Sequence, residues 1–253
     1  MARLAPLAVA AACAALGAVA AAQQPCSASL DVQPSNIPIG LWYGGSVVHV
    51  KAEVPHGMPV ALVFEGPSEH VTLHKKGKAG GILWMNVGDV ELGGVPSAYL
   101  LSTSAPLPAL GDPQTLETQQ IGYAALGATV SGEREMFPEL VKLKEQEGAY
   151  AVHEGALHLT PGQGGADSLV QDVPISPRIG EGQYQLRLVG FGNGQGRCLG
   201  SATLTLRQAG AAKSLRELAF GHGLLYGIAA VVIAIVAGLA TGLLFGKGGS
   251  KGH

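Results

Sequence analysis

Residues 46–54 hold the clearest alternation in the chain, with Val48, Val50, Ala52 and Val54 interleaved by His49, Lys51 and Glu53. An extended segment with this order turns one apolar and one wet face, and reads as a half-buried antiparallel strand. Residues 60–64 are apolar without a break between Pro59 and Gly66-Pro67, the pattern of a strand covered on both faces. Shorter strand patterns fall at 27–32, 71–74, 82–87, 90–92 and 98–103, and Lys75-Lys76-Gly77-Lys78 reads as a basic, solvated turn. Strand texture returns at 150–159 and 169–175. It ends in a hairpin, 183–191 with 198–208, where Leu186 and Leu188 mark one face and Leu204 and Leu206 another. The glycines at 190, 192, 194 and 196 therefore join two strands, whereas a phosphate-binding loop would lead into a helix.

Between the two groups of strands the period changes. Asp112 before Pro113 is a capping residue ahead of a proline at the first helical position, and predicts a helix running to about Leu126 and stopping at Gly127. Met136, Phe137, Leu140, Val141 and Leu143 form a second helical stripe, with Pro138 in its first turn and Gly148 as its stop. The expected fold is mainly β: an immunoglobulin-like antiparallel sandwich with a helical insertion near 112–148, followed by one transmembrane helix. Two smaller sandwiches divided by the helices are the alternative.

The third pattern has no polar face. Residues 223–245 carry no charge, and about 23 residues at about 1.5 Å each reach roughly 34 Å, enough to cross a hydrocarbon layer. Ala230, Ala234, Gly238 and Gly242 recur every fourth position, so a helix would gather them into a flat stripe for helix packing. At the other end, Arg3, the apolar run 4–19 and Ala20-Ala21-Ala22 read as a secretory signal spanning 1–22. The implied organisation is a signal peptide (1–22), an exported domain (23–208), a linker and pre-membrane segment (209–222), the span (223–245) and a cytoplasmic tail (246–253). This places the N-terminal domain in the periplasm and a single pass in the bacterial inner membrane.

Composition narrows the chemistry. A net charge of −2 with 13% charged residues leaves no basic footprint for nucleic acid. Of three cysteines, Cys13 departs with the signal, and Cys26 and Cys198 are left as a candidate disulfide in an oxidising compartment. The candidate metal ligands are His49, His56, His70, His74, His153 and His158, with Met58 and Met85 as soft partners. His70 and His74 would stand about 13 Å apart on one strand face, too far for one ion. No G-x-S-x-G elbow occurs. The expectation is of no enzyme activity, no cofactor and no metal site.

Several short motifs occur in a fixed order: Val63-Phe64-Glu65-Gly66-Pro67, Lys75-Lys76, Leu83-Trp84-Met85-Asn86, Gly94-Val95-Pro96-Ser97 with Tyr99, and His222-Gly223-Leu224-Leu225-Tyr226-Gly227. In order and placement the chain resembles the family of putative transmembrane proteins described from alphaproteobacteria. The resemblance implies an envelope protein with a signal peptide and one C-terminal helix, and assigns no catalytic residue. The favoured role is a membrane-anchored interaction or accessory module that serves an integral membrane partner such as a transporter, or that forms a homodimer through the span. A periplasmic metal-binding or redox accessory protein is the alternative.

Overall fold

A computed structural model describes residues 26, 28–79, 83–162, 164–210, 219–221 and 223–245. The signal segment 1–22, most of the linker 209–222, the tail 246–253 and residues 80–82 lie outside the described residues.

Strand β4 (Ser46–Pro55) realises the strongest alternation, with Val48, Val50 and Val54 wholly buried. It lies in a four-stranded sheet between β2 (Asp31–Gln33) and β12 (Ala166–Ile175), and β11 (Leu159–Pro161) forms the far edge. The unbroken apolar strand β5 (Val60–Glu65) sits centrally in the second sheet, where both its faces are covered. There β5 pairs with β13 (Gly182–Gly192) on one side and β8 (Tyr99–Thr103) on the other. Strand β14 (Gln195–Gln208) lies beyond β13, and β10 (Tyr150–His153) lies beyond β8. The short strands β1 (Ala28–Ser29) and β3 (Asn36–Ile39) both run parallel to β14, as β10 does to β8.

The order β2-β4-β12-β11 is the A-B-E-D sheet of an immunoglobulin-type domain, and β5-β13-β14 is its C-F-G sheet. Strands from before and after the helical insertion pair in both sheets, so the helices do not divide two sandwiches. A tyrosine corner completes the likeness: Tyr184, near the start of β13, donates its hydroxyl to the Gly180 carbonyl at 2.8 Å. Its ring stacks on Phe64, centroid to centroid 5.1 Å. Two residues on, where antibody domains carry a cysteine, stands the buried Leu186. The β13–β14 hairpin turns at Asn193 (φ 54°) and Gly194 (φ 72°), two left-handed positions that suit an Asn-Gly pair.

The insertion between strands C and D holds a hairpin, β6 (Ser68–Ala79) with β7 (Leu83–Pro96), and the helices α1 (Leu107–Leu110), α2 (Pro113–Gln119), α3 (Tyr123–Thr129) and α4 (Phe137–Gln146). Residues 75–78, expected as a turn, belong to β6. They pair with β7, Lys75 opposite Gly88 and, after a register shift, Lys76 opposite Asn86, Gly77 opposite Met85 and Lys78 opposite Trp84. The short strand β9 (Ser131–Gly132) adds to β7.

Asp112 caps α2 through a 2.8 Å bond from the Thr115 amide, but the single helix expected from 112 to 126 is two. Gln120 turns left-handed at φ 56°, and the Tyr99 hydroxyl enters the break, donating to the Gln120 carbonyl and accepting from the Gly122 amide. A buried side chain from the sheet thus satisfies the backbone groups that a continuous helix would have paired internally. Gly127 lies within α3 and does not end it. Tyr99, Tyr123 and Tyr150 have ring centroids 6.1 Å apart pairwise, fastening the helices to the sheet. Burial pushes the phenols of Tyr99 and Tyr150 above their ordinary range.

Candidate functional site

Strand direction sorts the loops between two ends of the domain. At one end is the Asn193-Gly194 tip; at the other the chain leaves β14 at Gln208. Gln208 is in register with Ile39, and the Ala209 amide donates to the Ile39 carbonyl at 2.9 Å. The start of β4 and the end of β12 reach the same end, where Ser46 faces Ile175. The exit end is thus built from the 40–45 turn, the 176–181 turn and the last residues of β14.

A cleft of about 790 Å³ reaches this end, lined by residues of both sheets. The pairing of β8 with β10 sets Leu100 beside Ala151 and Ser102 beside His153, and β12 supplies Val173 and Ile175 across the gap. Gly45, Ser176 and Pro177 close one rim. Gly45 takes φ 99°, and a Cβ there would stand 2.8 Å from the Ile175 carbonyl oxygen, so this rim requires glycine twice over. The lining is largely apolar with a few polar groups, the usual character of a binding cleft.

Three histidines bond aspartates through Nδ1: His49 with Asp172 at 2.6 Å, His56 with Asp167 at 2.7 Å and His74 with Asp89 at 2.7 Å. Only the second pair is anchored in protein. Asp167 is buried and also accepts from the Gly57 amide at 3.0 Å. The His56 hydrogen bond, then the Gly57 amide, hold its carboxyl below the ordinary value. Asp172 borders the cleft. Of the other candidate ligands, His153 opens into the cleft and His158 is exposed. Among the described residues, no three of His, Cys, Asp and Glu converge as a metal ion would require. The aspartates lay beyond sequence reasoning because their partners are set by register: 123 residues separate His49 from Asp172.

Cys26 and Cys198 are joined in a disulfide, Cα to Cα 4.8 Å, across 172 positions of sequence. The pairing follows from β1, which runs along β14 with Ala28 opposite Gly200. The bridge ties the first described residue to strand G, whereas the antibody-type disulfide joins strands B and F.

The helix α5 (Gly223–Phe245) contains one segment, Tyr226–Leu243, long and apolar enough to cross a membrane. None of that segment is buried against protein. Ala230, Ala234, Gly238 and Gly242 lie along it, and a Cβ added at either glycine would meet nothing within 4 Å.

The family described as "Putative transmembrane protein (Alph_Pro_TM)" matches residues 28–247, and the chain belongs to it. No curated protein and no solved structure matches the chain.

Proposed function

From that membership, we propose that the protein is a membrane-anchored accessory module of the bacterial envelope that binds an integral membrane partner. On this reading residues 1–22 are removed on export, the β-domain stands in the periplasm, α5 crosses the inner membrane and the tail is cytoplasmic. The role is binding rather than catalysis.

One observation carries the proposal: the cleft reaches the end of the domain from which the chain leaves its last strand. A protein embedded beside the helix could occupy the cleft and meet the Ala230, Ala234, Gly238 and Gly242 stripe at once. Two weak contacts carried on one chain act in concert, because the second forms intramolecularly, at an effective concentration set by the length between them. Small residues on the helix also allow the close backbone approach that substitutes for hydrophobic driving force in lipid.

The test is a photo-crosslinking side chain at Val47, an exposed residue bordering the cleft, in the full chain in native membranes. A cross-linked membrane protein that also co-purifies in mild detergent is expected, and Gly238→Leu with Gly242→Leu should weaken its recovery. A cross-link to a second copy would identify a homodimer. A chain that stays monomeric and cross-links nothing would overturn the proposal.

A further inference from the structure

The turn between β3 and β4 displays its largest side chains outward. Trp42 is 97% exposed and Leu41 61%, although a tryptophan is ordinarily among the more buried residues of a domain. The turn is firmly held. The Tyr43 amide closes on the Gly40 carbonyl at 3.2 Å, the Ile39 carbonyl accepts from Ala209, and the partly buried Tyr43 packs against the core. Residues 32–48 contain no Asp, Glu, Lys or Arg, so neither the tip nor its flanks would carry a charge out of water.

Position supplies the occupant. Strand β3 is parallel to β14 and in register with its last residues, so the tip projects in the direction the chain takes towards its span. Eleven residues lie between Gln208 and Phe220. Even fully extended, a chain of that length reaches no more than about 40 Å. The helical residues at the near end of the span also show aromatic rings, Phe220 at 86% and Tyr226 at 44% exposed. Tryptophan and tyrosine collect at headgroup level, where an apolar ring with a polar edge suits the boundary.

We propose that Leu41 and Trp42 seat in the headgroup and upper acyl region of the bilayer crossed by α5, giving the domain a second contact with lipid and a fixed face towards it. Arg178, Glu181 and Arg207 are exposed at the same end; the lipid contact is made by the uncharged tip. The proposal rests on α5 spanning the membrane, and the experiment separates the two claims.

The full chain is reconstituted in phosphatidylcholine and phosphatidylglycerol vesicles, and Trp42 fluorescence is taken as wild type minus Trp42→Phe. Because Trp42 touches so little, this variant keeps the fold, which circular dichroism verifies. Bromines placed high in the lipid acyl chains should quench the difference emission at least twofold, and bromines near the bilayer centre should quench it less. Acrylamide should quench it weakly. Emission open to acrylamide and indifferent to brominated lipid would overturn the proposal. So would emission shielded from both, which would signal a protein contact such as a second copy. Resistance to alkaline carbonate extraction reports on the span separately, so a chain that stays in the vesicles while Trp42 remains in water refutes only the lipid-seated tip.

Discussion

Helices α4 and α5 dispose of their apolar side chains in opposite ways. In α4, Phe137, Leu140 and Val141 are buried in the domain, while Glu139 and Lys142 pair on the wet side at 2.8 Å. In α5, Ile228, Val231, Val232, Ile233, Ile235 and Val236 are all exposed, pointing around the whole circumference. The first helix is half polar and needs one protein surface; the second is apolar all round and needs an apolar solvent on every side. What sends a helix to a core or to a bilayer is the arrangement of its apolar residues more than their number.

The contrast breaks first at the disulfide, which belongs to the domain alone. Reducing Cys26–Cys198 reopens a loop of 172 positions and should lower the domain's unfolding free energy by up to about 5 kcal/mol, read from a urea titration. Carbonate extraction should be unchanged; release of the reduced chain from membranes would mean that α5 depends on the domain. A matched pair of truncations comes next. Leu140→Ala empties a wholly buried position and should cost the domain about 2–5 kcal/mol. Leu239→Ala in α5 should leave the same titration within about 0.5 kcal/mol. Equal shifts would show α5 packed on the domain.

The smallest effect is the sharpest in pH. The carboxyl of Asp167 is depressed by its bonds from His56 and Gly57, so its contribution to stability is present above the ordinary value of 3.8. It is lost as pH falls through the folded value. Asp167→Asn should therefore be less stable than wild type at neutral pH, and the gap should close in acid below about 3.8. A gap that persists unchanged at low pH would assign the loss to packing rather than charge.

The elements most legible in sequence are those whose cause is local. Val48, Val50 and Val54 mark β4 by alternation, Asp112-Pro113 opens α2, and the glycines at 190, 192, 194 and 196 mark the turn of the last hairpin. The lack of charged residues from 223 to 245 announces α5. What depended on distant partners was not legible. Gln120 breaks the helix because Tyr99, 21 residues earlier, brings a hydroxyl to the freed backbone groups. Lys75 to Lys78 resemble a turn in composition, yet β7 offers each of them a partner. The cleft exists only because β8 pairs with β10 at a separation of 51 positions, a register that neither strand signals alone. The site is the least legible part, since its lining comes from β8, β10 and β12 together.

The bridge from Cys26 to Cys198 also decides how the molecule would answer to force. Tension applied between its N-terminal side and the anchored helix would enter β14 through the sulfurs and travel only the ten residues from Leu199 to Gln208 before reaching the linker. The 172 positions enclosed by the bridge lie off that path. With the bridge intact they cannot be paid out as slack, and with it cut they would lengthen the tether by roughly 600 Å at about 3.3–3.6 Å per residue. The domain is suspended from its last strand, so a pull that would unravel an unbridged sandwich instead loads one short segment of backbone beside the membrane.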